Sequence, residues 1–274
     1  MSASKISTIR DGSFNWRCSK FAAAIFGVSL LSILTGPVFA SERDEQYHRD
    51  YISGVPVDPS EAWTLASGAR MYDNWYNALG VDAPKTTHPA WPASNTKKSG
   101  AVTWRCKSCH GWDYSGKDGA YGKGSYKTGI TGIRAYAGKG EDAIHKILMD
   151  KTHGYTHDMI PLDAMLRLSA FVGKGQIAVA DYIKPDKTVL GDTEKGKAVF
   201  QNVCAACHGF DGKALNWGDA NKPAYIGTEA QGNPWEILHK IRAGHPGVEM
   251  PAMMAFPTQT QVDVLSYAKT LPAK

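Results

Sequence analysis

The sequence predicts a helical protein built from two copies of one small module, and three observations carry that expectation. A Cys-x-x-Cys-His pattern occurs twice, at Cys106, Cys109 and His110 and again at Cys204, Cys207 and His208, with the two copies 98 residues apart. The runs Ile144, His145, Lys146, Ile147 and Leu238, His239, Lys240, Ile241 follow the first and second copies. Segments of helical spacing flank both copies, as where Gly196 and Phe200 lie on one face just before Cys204, and no strand-rich βαβ pattern precedes either one.

The first 40 residues stand apart. Lys5, Arg10, Arg17 and Lys20 precede an apolar run over residues 21–34, which closes on the small-residue site Val38, Phe39, Ala40. Such a segment reads as a secretory signal peptide cleaved after Ala40. A retained anchor is the competing reading, but a span needs about 20 apolar residues, and Gly36 and Pro37 interrupt this run. No later stretch is apolar enough to cross a bilayer. The formal charge of +5 falls to +2 once this segment, with four basic residues and Asp11, is removed. The lysines are scattered, so the sequence lacks the concentrated basic face of a nucleic-acid binder. A composition of 43% hydrophobic and 21% charged residues excludes a collagenous or mostly disordered chain.

Of the five cysteines, Cys18 lies in the leader and the other four form the two C-x-x-C pairs. Adjacent pairs of this kind make strained disulfides that seldom serve as staples. A histidine directly after each pair makes both the attachment sequence of haem c. Two cysteines three apart on a helical turn reach the two vinyl groups of one porphyrin, and the next imidazole points at the iron. Cys106, Cys109, Cys204 and Cys207 are thus expected to hold two covalent haems, with His110 and His208 as proximal ligands. One zinc ion bound by four thiolates is the rival reading; the histidines, the wide separation of the pairs and the export signal oppose it. A thioredoxin-like redox pair would not be expected twice with His after both.

A closed haem needs a second axial ligand, and Met is common in electron carriers because it raises the reduction potential. In the second half Met250, stiffened by Pro251, is expected to fill that place, with Met253 and then Met254 behind it; at least two of the three are expected to be core filler. In the first half Met159, followed by Ile160 and Pro161, is the parallel choice. His153 and His157 lie on the same loop, and either would give a bis-His site. Met149 and Met165 are read as packing residues. His145 and His239 are expected on helix surfaces.

On the strength of C-x-x-C-H, a helix before it, a Met-Pro loop after it and a closing helix, the chain resembles the class I cytochromes c in their bacterial two-domain, dihaem form. The resemblance covers nearly all of residues 190–274. It implies an all-α fold of two tandem domains in which the first and last helices of each domain cross beside the haem. The expected boundaries are residues 1–40 for the signal peptide, 41–185 for the first domain with an N-terminal extension, and 190–274 for the second. The closing helices are expected over residues 162–183 and 259–271. The family also implies a proline carbonyl bonded to the proximal imidazole, and Pro223 is the candidate at His208. No proline lies between His110 and Pro161, so His110 must be oriented in another way. The first half departs further, because roughly 30 residues separate its helical stretch at residues 68–75 from Cys106. Inserted loops of that size tend to be functional or disordered. This half is also rich in aromatic residues, among them Trp75, Trp91, Trp104, Trp112, Tyr121 and Tyr126, which are read first as packing around the haem.

Two closed haems suit passage of single electrons between a dehydrogenase and an oxidase or reductase in the periplasm, with no catalytic residue and no membrane span after cleavage. An oxidoreductase acting on peroxide or a small oxyanion, with the first haem open, is the alternative. A subunit of a larger oxidoreductase is a third reading.

Overall fold

Each half is organised around two helices that meet at a glycine. In the computed structural model, which describes residues 54–274, the first half opens with α1, Glu61–Ala78. The α1 N-terminus is capped by Ser60, whose hydroxyl accepts the Trp63 amide proton at 3.2 Å. After the long loop come the short α2, Cys106–His110, then α3, Glu141–Leu148, and α4, Leu162–Ala170. The second half consists of α5, Thr193–Val199, α6, Ala205–His208, α7, Ile226–Gly232, α8, Pro234–Ala243, and α9, Thr258–Ala268. Among the described residues there is no strand beyond isolated bridges between Gly116 and Thr131 and between Ile183 and Val189. The expected helical fold is present. The expected signal peptide, residues 1–40, lies outside the described residues.

α1 packs on α4 and α5 on α9, and the same device brings each pair close. A Cβ on Gly68 would collide with the Arg167 carbonyl and reach 2.7 Å from Phe171 Cβ; one on Gly196 would collide with the Asp263 carbonyl and reach 3.0 Å from the Val264 nitrogen. Four residues on, Tyr72 and Phe200 fill the same face and are fully buried. A Gly196→Ala substitution should cost about 1–3 kcal/mol through overpacking. The expected sign is a lower urea midpoint at unchanged slope; an unchanged midpoint would mean that the crossing relaxes freely.

The closing helix of the first half is shorter than expected. It widens at Phe171 and ends at Gly175, because Gly173 packs against the Lys139 carbonyl, 2.6 Å from where its Cβ would be, and its own carbonyl accepts from Gly138. The last helix stops at Ala268.

The two halves pack together, with α8 lying on α1. His239, expected on a helix surface, is instead buried at the centre of this contact. Its Nε2–H donates to the Ala69 carbonyl at 2.9 Å, and the Tyr114 hydroxyl donates to its Nδ1 at 3.0 Å. The helical spacing of residues 238–241 carries no sign of its partner, and α1 supplies one. His145, by contrast, is only half-buried and pairs with His157, Nε2 to Nε2, at 3.0 Å.

Beside His239 lies a buried ionic cluster made by a break in α1. Asn74 is non-helical, with φ −157° and ψ 89°, and its side chain takes the amide proton of Asn77 at 3.2 Å. The Asp73 carbonyl is thereby released to accept from Arg105 Nε at 2.7 Å. The Asp73 carboxylate, fully buried, pairs with the Arg105 guanidinium and with Lys240 Nζ at 3.0 Å. Burial works to raise its pKa, but Lys240 and then Arg105 outweigh it and hold the carboxyl well below the usual carboxylate range.

Candidate haem sites

The two C-x-x-C-H segments fold alike. After each histidine a glycine turns the chain with positive φ, +81° at Gly111 and +78° at Gly209, and its amide closes the helix on Lys107 O or Ala205 O at 2.9 Å. The carbonyls of His110 and His208 accept from Gly116 and Ala214 at 2.8 and 3.0 Å. An aspartate then closes each turn, Asp113 on the Ser115 amide at 3.2 Å and Asp211 on the Lys213 amide at 3.0 Å.

At the first site Cys106, Cys109 and His110 line a cavity of about 290 Å³ whose other walls include Ile133, Ile144, Leu148 and Val172. This is an apolar pocket with a thiol pair and an imidazole on one wall, a donor set that fits a covalently held haem. Burial pushes the Cys106 and Cys109 thiols up to about 11 and about 12. Burial also takes the His110 imidazole down to about 4, against the opposing hydrogen bond of its ring, so the ring is neutral, as an iron ligand must be. His110 Nδ1 is held by the Thr131 carbonyl at 2.7 Å, which the Gly116–Thr131 bridge delivers. A backbone carbonyl other than proline's thus orients this ring. Any residue can supply a carbonyl, so no side-chain signal points to Thr131.

Of the three candidates on the distal loop, only His153 lines the cavity. Its ring centroid is 6.2 Å from that of His110. Met159 is half-buried and packs against the apolar core, and His157 is turned to His145. Met165 is fully buried as expected, whereas Met149 is 40% exposed at the end of α3.

The long loop is folded by its own polar contacts. Asn95 donates to the carbonyls of Ser125 and Lys127, both at 3.0 Å, and Trp104 Nε1 donates to Thr86 O at 2.7 Å. Trp91, Trp75, Trp112 and Tyr121 are buried, in keeping with the packing role read from the sequence. Lys107, between the two cysteines, is buried beneath Trp112 and Tyr126, with Nζ 5.0 and 4.4 Å from their ring centroids. Burial, then Arg105, lowers its pKa to about 7.

At the second site the His208 ring lies beside Phe200 and Trp217. Its buried Nδ1 has no hydrogen-bond partner among the described residues. The expected bond from Pro223 is not formed, because the 216–224 turn closes on itself: Asn216 Oδ1 accepts from Gly218 and Ala224, and Gly218 packs on the Pro223 peptide. Met253 is buried in the apolar core, and Met254 packs at its edge with Sδ 3.6 Å from Arg242 Nη2. Met250 sits half-buried on the loop after α8, its carbonyl packed against Gly244.

The two C-x-x-C pairs belong to separate halves, and no three His, Cys, Asp or Glu side chains converge on a common point among the described residues. Four thiolates therefore do not surround one ion. Residues 191–267, spanning α5 to most of α9, match the family model described as subunit III of cbb3-type cytochrome c oxidase. A cytochrome c-553-like protein of Synechocystis sp. is 29% identical over 92 residues, which cover 33% of this chain and 79% of that relative. Over these residues the chain is similar to c-type cytochromes. That similarity supports covalently bound haem c, electron transfer through its iron, and redox proteins as partners. Among the described residues no helix is long and apolar enough to cross a membrane.

Proposed function

We propose that this chain is an exported cytochrome with two c-type haems, in domains 41–185 and 190–274, that passes single electrons between periplasmic redox proteins. The observation that carries this reading is the matching geometry of the two C-x-x-C-H turns, down to the positive-φ glycine and the aspartate that follow each histidine. Cys106 and Cys109 would hold one haem and Cys204 and Cys207 the other, with His110 and His208 as proximal ligands and Met250 as the second ligand at His208. When bound, each haem supplies a one-electron centre. The protein's part is to hold the ligand rings neutral and oriented, as Thr131 does for His110, and to keep water from the apolar pocket. The buried contact of α1 with α8 ties the two sites into one body, which favours electron exchange between them.

Haem content tests this directly. The mass of the chain after export with haem-maturation machinery should show two haems, and the Cys106→Ala/Cys109→Ala and Cys204→Ala/Cys207→Ala pairs should each show one. Covalent mass is read whether or not the variants fold. A single haem, lost only with the second pair, would overturn the two-haem reading.

A further inference from the structure

We propose that His153, and not Met159, is the second axial ligand at the first site, and that the inserted loop exists in part to position it through His88. This rests on the reading of Cys106, Cys109 and His110 as a haem site.

Three observations converge on His153. It lines the cavity with Cys106, Cys109 and His110, and Met159 is not among the residues that do. The separation of the rings is the second: two metal–imidazole bonds of about 2 Å each, laid end to end between two rings, place their centroids roughly 6 Å apart, and the observed value is 6.2 Å with ring planes inclined by 27°. The third is the state of the ring nitrogens. His110 Nδ1 is taken by Thr131 O at 2.7 Å, and His153 Nδ1 by the Asp150 carboxylate at 3.2 Å. Each ring therefore keeps Nε2 as its remaining nitrogen. A ligating histidine characteristically donates its other N–H to a carbonyl or carboxylate in this way, and here both rings do so.

The backbone around His153 is fixed from two sides. The Asp150 carboxylate also accepts from the amides of Thr152 and His153 at 2.8 and 2.9 Å. From across the cavity His88, on the inserted loop, reaches the His153 carbonyl with Nε2 at 2.9 Å. The direction of that bond is set, because the Ala90 amide donates to His88 Nδ1 at 3.1 Å, which leaves the proton on Nε2. His88 is buried against Trp104, ring centroids 4.3 Å apart, so it has one orientation. It is a positioning residue, holding the segment that presents His153.

Met raises haem potential relative to His. The first site should therefore titrate at the lower potential and the second, with Met250, at the higher, so that electrons enter at the first and leave from the second.

The test uses the matured two-haem chain in its ferric state, with electron paramagnetic resonance and the Met-to-iron charge-transfer band as readouts. The wild type should show two low-spin haems but one Met equivalent. Met159→Leu should leave the spectrum unchanged, Met250→Leu should abolish the band, and His153→Ala should turn one haem high-spin. His88→Ala should give a partial high-spin fraction at the first haem, and His88→Gln, whose amide still donates to the carbonyl, should restore it. Two Met equivalents, with one lost in Met159→Leu, would overturn His153 while leaving the two-haem reading intact. A high-spin haem in the wild type would do the same. Absence of haem on Cys106 and Cys109, read from the mass, would remove both. The wild-type and Met159→Leu spectra decide the matter even where His153→Ala fails to fold.

Discussion

Replacing Asp73 with alanine should lower the stability of the folded chain by about 3–5 kcal/mol, the cost typical of removing one partner from a buried ion pair. The carboxylate has no exposed side-chain surface, and its partners are also largely covered, Arg105 at 20% and Lys240 at 13% side-chain exposure. Its loss leaves two cations facing each other out of water, in the contact that joins α1 to α8 and beside the turn that carries Cys106. Lys240→Met should cost less, because Arg105 still neutralises Asp73. Urea denaturation of the holoprotein at pH 7 measures both, and equal costs for the two variants would show that Asp73 is not the charge on which the cluster depends. The pH sign follows from the depressed carboxyl. Its contribution is fully present above the unfolded value, about 3.9, and is lost only as pH falls below about 4 through the folded value.

How far sequence alone reached depends on whether a signal is local. C-x-x-C-H, the Gly196/Phe200 pair and the long insertion before Cys106 are local, and each has its counterpart in the structure. Gly173 and Gly175 are local too, and their presence in the expected closing helix was itself a stop signal. The orientation of His110 was legible only as a gap, a missing proline, since the Thr131 carbonyl that fills it is a backbone atom brought near by a single bridge. His239 could not be placed because its burial depends on α1, 170 positions away along the chain from Ala69. The distal ligand lies between these cases. Met159-Ile160-Pro161 copies the second half's pattern, whereas Asp150-x-x-His153 has a spacing that lets an aspartate orient the histidine that follows it. Repetition pointed to two like modules but suggested more symmetry than the first half has: its insertion supplies His88, which has no equivalent in the compact second half.

His239 should make stability fall with pH in a window that Asp73 does not share. Its ring is fully buried, and burial, the largest influence, takes its pKa from 6.5 down to about 4, with Asp73 and the Ala69 hydrogen bond opposing and Arg242 and Lys240 assisting. The neutral form is fully used, Nε2–H on Ala69 and Nδ1 accepting from Tyr114. Protonation would put a proton on Nδ1 where the Tyr114 hydroxyl donates, and a charge beside Arg242 and Lys240. The unfolded chain therefore binds the proton first. Stability is complete above about pH 6.5 and is lost as pH falls toward 4, by an amount on the order of 3 kcal/mol at pH 4. Asp73 remains ionised in the folded state throughout this range. Denaturation of wild type and His239→Gln holoprotein between pH 8 and 4 isolates the effect, since other buried histidines titrate in both. The variant should start less stable at pH 8 and lose less on acidification. Parallel pH profiles would mean that His239 is protonated in the folded chain, and that the contact between the halves tolerates a charge at its centre.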